Sequence, residues 1–347
     1  MKNKYLTVED VAKEAGVSTA TVSRVFNKSP LVTEKTVKEV LSVAEKLNYK
    51  PSRVARRLRA HKSASGVIGV IITDIKNPFF SEVVRGIEDV AFENQHGIIT
   101  CNSDEDGEKE EFYINTLISE QVSGLVIAPT PHNHSLLQEL ADQGYPITFV
   151  DRISPDLKFD SVKVNNKYGA KMAVKHLLEL GHKRIGIIGG IPGITTTEER
   201  YKGYVKAHEE YDMPVDQQLV TFGNSRQDGG IKQARKLLAI ENPPTALFVT
   251  NNLMTLGCLQ ELHERGVEIP DEMALVGFDD MPWAVALNPP LTAVRQPGHE
   301  LGTNAADLLF KRIKSPNRSA NHLMLDADLI VRKSCGAQNN ASVILRF

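Results

Sequence analysis

The stretch Val8-Glu-Asp-Val-Ala-Lys-Glu-Ala-Gly-Val-Ser-Thr-Ala-Thr-Val-Ser-Arg-Val-Phe26 spaces its apolar and small residues for two short helices packed across a tight turn. Val11, Ala15, Val17, Val22 and Val25 supply a shared core, and Ala12 is small where the second helix crosses the first. Gly16 can take the left-handed conformation that the turn needs. Thr7 with Asp10 reads as a capping box for the first helix, and Ser18 can cap the second. Thr19, Ala20, Thr21, Ser23 and Arg24 then face outward, with Asn27 just beyond, as a reader of the DNA major groove would. Any small helical hairpin uses such residues singly; the set at these spacings is a helix-turn-helix signature.

Working outward, Thr33 can cap a third helix to about Asn48, with Val37, Val40, Leu41, Ala44 and Leu47 on one face to close a three-helix core. Tyr49-Lys-Pro51 ends it. The segment Ser52–Lys62 carries five Lys/Arg and no acid, with Val54, Ala55 and Leu58 at i, i+1 and i+4. An isolated helix that short is marginal and needs a partner or DNA to order it. Charge divides the chain in the same place. Residues 1–62 hold 14 Lys/Arg against 6 Asp/Glu, whereas the remainder of the 347 residues holds 27 against 37. A basic head on an acidic body fits a nucleic-acid-binding module joined to something that avoids phosphate.

Cys101, Cys258 and Cys335 are far apart and in no metal spacing, so they read as buried thiols of a reducing compartment. There is no signal-peptide pattern, and no run approaches the roughly 18 to 20 apolar residues of a membrane span. The expectation is a cytoplasmic protein without membrane contact or cofactor. From Gly66 onward, short Val/Ile strands alternate with amphipathic helices. Strands are expected at 67–72, 98–101, 125–128, 147–150, 185–188, 219–222, 246–249, 274–278 and 291–294, with helices such as 80–95, 168–180 and 253–265 between them. Continuous apolar strands separated by helices imply parallel sheets covered on both faces. Nine strands are generous for one sheet, so two doubly wound lobes are expected, with ligands at the carboxyl ends of the strands.

The hairpin, the stop at Asn48-Tyr-Lys-Pro51, the segment Val54-Ala-Arg-Arg-Leu58 and the two-lobed pattern together resemble the LacI/GalR family of bacterial transcription regulators over nearly the whole chain. The resemblance implies an α/β protein: a small all-α helix-turn-helix DNA-binding head at 1–50, a hinge helix and linker at 51–63, and a periplasmic-binding-protein-like body of doubly wound parallel sheets at 64–335. The amino-terminal lobe would take 64–164 plus 294–322 and the carboxy-terminal lobe 165–293 plus 323–335, leaving a tail at 336–347. It also implies a homodimer on palindromic operator DNA. Thr19, Ala20 and Arg24 match the family's principal base-reading positions, and Leu58 matches a leucine wedged into the central base step, although docking of the hinge onto the body would use it equally. Arg53, Arg56, Arg57 and Arg59 suit phosphate contacts.

In the body, Asn77, Phe79, Phe80, Asp151, Arg152, Arg200, Asn251, Asp279 and Gln296 resemble the sugar-contacting positions of ribose-type binding proteins. The chemistry is apt: carboxylates, guanidinium forks and amides bind paired hydroxyls, and phenyl groups stack on a sugar ring face. Two alternatives stay open, a lobe-bridging ion pair at Asp151-Arg152 and simple helix capping by Asn77. Trp283 can line the pocket, or pack in the core or at an interface. The match has a gap after Phe222, where ribose binders place an aromatic and this chain reads Gly223-Asn-Ser-Arg-Gln-Asp228; either Phe222 takes over or the sugar differs. The resulting expectation is a repressor switched by a small, ribose-like sugar that induces release from DNA. The alternative is a global catabolite-type regulator answering to a protein or a phosphorylated metabolite, against which Asp151 and Asp279 argue. No nucleophile-elbow or Walker motif points to an enzyme. His132-Asn-His134 lacks a neighbouring carboxylate or thiolate for a metal, and Asp104–Glu111 reads as a solvated helix start. Beyond Arg332 there is no heptad pattern, so no tetramer-forming coiled coil is expected.

Overall fold

The computed structural model describes residues 7–26, 29, 31–47, 49, 66–131, 134–154, 157–337 and 343–345. It divides into two compact units, Met1–Ser65 and Gly66–Phe347. Asn27, Arg53, Arg56, Arg57, Leu58 and Arg59, together with the proposed hinge and His132, lie outside the described residues.

In the head, helices α1 (Val8–Glu14), α2 (Thr19–Phe26) and α3 (Glu34–Lys46) enclose a core of Val11, Ala12, Val22, Val25, Val40 and Ala44. The capping box at the start of α1 is reciprocal: the Thr7 N–H donates to Asp10 Oδ2 at 2.7 Å, and the Asp10 N–H donates to Thr7 Oγ1 at 3.4 Å. Gly16 turns the chain at φ +64°, and Ser18 Oγ accepts from the Thr21 N–H at 3.1 Å. One core assignment fails. Leu41 is 46% exposed, because Val40 and Ala44 already point inward and the next residue lies about 100° around the helix.

The body holds two sheets. Strands β1 (Val67–Ile72), β2 (Gly97–Asn102), β3 (Leu125–Ile127), β4 (Ile147–Asp151), β5 (Asp160–Val164) and β11 (His322–Leu325) form the first, in the order β11-β5-β4-β3-β1-β2. The second has the order β13-β12-β10-β9-β8-β6-β7, with β6 at Ile185–Gly189, β7 at Val220–Phe222, β8 at Ala246–Val249, β9 at Ala274–Phe278, β10 at Thr292–Arg295, β12 at Asp328–Val331 and β13 at Val343–Leu345. Pairings are parallel except β10–β12 and β12–β13. Helices α4 (Pro78–Glu93), α5 (Gly107–Ser119), α6 (His134–Asp142), α7 (Asn166–Glu179), α8 (Thr195–Glu210), α9 (Gln227–Leu238), α10 (Asn252–Glu264) and α11 (Gly298–Lys314) join them.

The chain passes between the sheets three times, after β5, after β10 and after β11. Thr292–Arg295 therefore belongs to the second sheet and His322–Leu325 to the first, so the last two crossings fall a few residues beyond the expected lobe limits. Four strands had no sequence expectation: β5, β11, β12 and β13. The first begins on Asp160, whose buried carboxylate accepts from Arg312 at 3.0 Å, from Arg318 at 2.6 Å and from the Asn321 N–H at 2.8 Å. Those tertiary partners offset the desolvation that makes an acidic strand start illegible locally. The tail is not plain either, since β13 adds an antiparallel edge to β12.

Close helix pairs cover the sheets. A Cβ on Gly302 of α11 would strike the Val83 carbonyl of α4, and one on Gly203 of α8 would strike the Lys167 carbonyl of α7. Trp283 is partly buried against the core of the second lobe and does not line the cavity between the sheets.

Candidate functional site

On α2, Val22 and Val25 are buried while Thr19, Ala20 and Arg24 are exposed and Thr21 and Ser23 half-buried. One face of the helix is thus anchored by valines and the other presents short polar groups and a guanidinium, the geometry a groove reader needs. Ser18 and Thr21 also share a hydroxyl hydrogen bond of 2.9 Å, so Thr21 works partly in the cap.

In the body, one cavity of about 50 Å³ lies between the carboxyl ends of the two sheets, and all nine of Asn77, Phe79, Phe80, Asp151, Arg152, Arg200, Asn251, Asp279 and Gln296 line it. The strand ends explain the convergence. Asp151 closes β4 and Asp279 follows β9, both in the left-handed region at φ 69° and 76°. Asp104, Glu105 and Ser225, at φ 56°, 63° and 59°, line the same cavity. Of the eight non-glycine residues with positive φ among the described residues, these five surround one space. Backbone strain gathered around one space marks it as the candidate functional site.

The polar side chains are wired to one another. Arg152 donates to both Glu105 oxygens, at 2.7 and 3.1 Å, and to Asp151 Oδ2 at 3.3 Å. All three sit in the first lobe, so Asp151-Arg152 does not bridge the lobes. Burial lowers the Arg152 pKa, but Glu105 and Asp151 outweigh it and hold the guanidinium above its ordinary value. Arg200 donates to Asn166 Oδ1 at 2.8 Å and to the Thr250 carbonyl at 2.6 Å, with its guanidinium 3.8 Å from the Phe278 ring centroid. Asp279 accepts from the Gln296 amide and, at 3.4 Å, from the Asn252 N–H. Burial raises the pKa of both Asp151 and Asp279, which Arg152 and Arg200 respectively oppose. Phe79 and Phe80 meet edge to face at 5.2 Å.

Asn77 and Asn251 have a second duty as helix caps: Asn77 Oδ1 accepts from the Phe79 N–H at 2.9 Å and Asn251 Oδ1 from the Met254 N–H at 3.0 Å. Sequence reasoning missed Asp104 and Glu105, taking them for a solvated helix start. Only part of that run behaves so: Asp106 caps α5, whereas Glu110 is buried and holds Thr130 through its N–H at 2.7 Å. The position of Asp104 and Glu105 just after β2, at a strand's carboxyl end, was the available signal. Phe222 does not replace the absent aromatic. It packs on Tyr201 at 5.7 Å, and Asn224, Ser225 and Arg226 form that wall.

Residues 7–52 match the family described as bacterial regulatory proteins, lacI family, and residues 174–335 match a periplasmic binding protein-like domain. The chain is 33% identical over 329 residues to the HTH-type transcriptional repressor PurR of Photobacterium profundum, covering 94% of this chain and 98% of that protein. The chain belongs to the LacI family. The lac repressor dimer bound to operator and the anti-inducer ONPF aligns with a TM-score of 0.84 at 28% identity, over 96% of this chain and 100% of that one. The complex of the transcriptional regulator CelR with cellobiose aligns at 0.72 and 29% identity, over 95% and 99%. As a LacI-family protein this chain is a DNA-binding transcriptional repressor that engages operator DNA as a dimer, and its body is the family's effector-binding domain. No helix among the described residues is long and apolar enough to cross a membrane.

Proposed function

We propose that the cavity between the lobes takes a small polyhydroxy compound of the sugar class, and that its binding releases the paired heads from a palindromic operator. The observation that carries the reading is the charge and wiring of the cavity. Five carboxylates, Asp74, Asp104, Glu105, Asp151 and Asp279, face three guanidinium groups, and Arg152 is already committed to Glu105 and Asp151. A surplus of acceptors suits hydroxyl pairs and repels phosphate, which weighs against a phosphorylated metabolite. Asp279 is the hydroxyl-gripping acceptor, Arg200 the donor beside it, and Phe79 and Phe80 the apolar floor. Thr19, Ala20 and Arg24 read base edges, with Arg24 suited to guanine O6 and N7.

The cellobiose complex of a similar regulator supports the sugar class. A ribose-like ring is the narrower form of the reading, and the polar wall at Asn224–Arg226 favours more hydroxyl contacts than a ring-stacking aromatic would make. A planar nitrogen heterocycle such as a purine base is the second reading. It is favoured by the similarity to repressors called PurR and by the amides of Gln296 and Asn251, which can match its donor and acceptor edges. The effector must bind one lobe arrangement better than the other, and about 1–3 kcal/mol of coupling gives a several-fold to hundredfold switch. Calorimetric titration of the full chain with D-ribose, other pentoses, hexoses and purine bases tests it. Binding of a sugar alone supports the first reading, and binding of a base alone replaces it with the second.

A further inference from the structure

Asn77, at the start of α4, hydrogen-bonds through its side chain directly across the cleft, on an element that carries no chain crossing. Its oxygen caps α4 by accepting from the Phe79 N–H, which fixes which way round its amide lies. The same oxygen accepts from Asn252 Nδ2 at 2.7 Å, and Asn252 opens α10 in the other lobe. Both residues are buried, with 6% and 1% of their surface exposed. Asn252 Nδ2 also lies 3.4 Å from Met281 Sδ, a weak acceptor, and Asn252 Oδ1 has no partner among the described residues. The strong bond of this side chain is therefore the one to the opposite lobe, while its backbone N–H serves Asp279.

Among the described residues other polar contacts also join the lobes, and none is equivalent: Gln296 with Asp279, Asn165 with Asp326 and Asn166 with the Val164 carbonyl sit at the crossings themselves. Lys163–Glu199, at 2.6 Å, leaves β5 immediately before the first crossing, so a rotation about the crossings changes it least. Arg226–Asp104 is 3.9 Å long between half-exposed side chains, where solvent screens it. Asn77–Asn252 is the buried pair on elements that carry no crossing, so its bond exists only when the lobes are together.

We propose that Asn252 is a positioning residue that holds the two lobes closed by locking Asn77, and so sets how readily the cleft opens whatever compound fills it. It acts through Asn77 rather than by lining the cavity. Because the bond is between protein atoms, its effect on lobe spacing is measurable without any effector, and failure of the sugar reading leaves it intact.

The test uses the full-length chain with Cys101→Ser and spin labels at two exposed positions, Glu108 on α5 and Lys232 on α9, diluted into unlabelled protein so that only intrachain pairs report. Asn252→Ala keeps the backbone bond to Asp279 and removes the side-chain contacts, of which only the one to Asn77 crosses the cleft. It is expected to shift the interlobe distance distribution to longer separations, with a several-fold rise in the open population and a thermal midpoint close to the parent's. Asn252→Ser, whose hydroxyl is too short to reach Asn77, carries the same expectation if the alanine variant does not fold. In the Asn77→Ala, Asn252→Ala double variant the opening should not exceed that of the larger single change, because both remove one bond. Distance distributions identical to the parent's in the single variants, or strictly additive opening in the double, would overturn the proposal.

Discussion

Arg24 and Arg200 are both guanidinium groups on candidate functional surfaces, yet one stands exposed on α2 and the other is buried against Phe278 with two of its three nitrogens tied to Asn166 and Thr250. The contrast holds for the regions around them. The head keeps its small core of valines and alanines apart from the residues proposed to meet DNA, so recognition should change without touching stability. The cleft makes its candidate residues part of the fold: strand ends in left-handed conformations, buried carboxylates paired with buried cations, and a cap, Asn77, that doubles as a lobe contact. Substitutions should therefore separate recognition from stability in the head and entangle them in the cleft.

The largest effect is expected at Asp279. Replacing it by Asn removes a charged acceptor worth about 1.5–3 kcal/mol, or roughly tenfold to more than a hundredfold in sugar affinity. Stability should move the other way. Burial raises the Asp279 pKa, so the stability tied to its neutral form is present below the unfolded value of 3.8 and is lost as pH rises through the folded value. At pH 7 the neutral isostere avoids that loss, and calorimetric scans should give a midpoint no lower than the parent's. A large fall would mean that the charge supports the fold.

Arg24→Ala comes next. Loss of a bidentate base contact costs about 1–3 kcal/mol, roughly tenfold to a hundredfold in operator affinity, and circular-dichroism melting should be unmoved because the side chain is exposed. A matching drop in thermal midpoint would break the separation of reading face and core. In the cleft's scaffold, Gly203→Ala pushes a Cβ into the Lys167 carbonyl and within 2.7 Å of Ala170 Cβ. Urea unfolding should show a loss of about 1–3 kcal/mol, as for other overpacked contacts.

The smallest effect is at Glu261, away from both sites. Its carboxyl is held down to about 2 by hydrogen bonds from Arg235 and Arg265, against the ordinary 4.5. A depressed carboxylate contributes stability above its unfolded pKa and loses it as pH falls through its folded one, here between about 4.5 and 2. Both arginines are half-exposed, so screening limits the gain to under about 1 kcal/mol. Glu261→Gln should lower stability slightly at pH 7 and flatten the acid dependence in that window; an unchanged acid slope would contradict it.

How much of this was legible in sequence also divides along the comparison. The head was readable nearly residue by residue, because its caps and core are encoded locally: Thr7 with Asp10, Ser18, Gly16, and valines at helical spacing. Leu41 was misplaced because adjacent apolar residues on a helix leave its facing to tertiary packing. In the body, apolar strands such as Ile185–Gly189 announced themselves, while Asp160–Val164 did not, since its acidic start is stabilised by Arg312 and Arg318 from residues far along the chain. Within the cleft, similarity to sugar-binding proteins located nine lining residues, but Glu105 and the lobe-joining role of Asn252 escaped. Their roles depend on partners across the structure, Arg152 for one and Asn77 for the other.

The central claim is that occupation of the cleft governs the hold of the head on DNA. Its most direct measurement is fluorescence anisotropy of a labelled palindromic operator with a central CG step, titrated with the full-length protein and its Asp279→Asn variant, with and without D-ribose and the wider sugar panel. The account predicts that a sugar lowers the operator affinity of the parent several-fold or more and leaves that of the variant unchanged at the same concentration. Equal operator affinity with and without every sugar, or an equal response in both proteins, would contradict it.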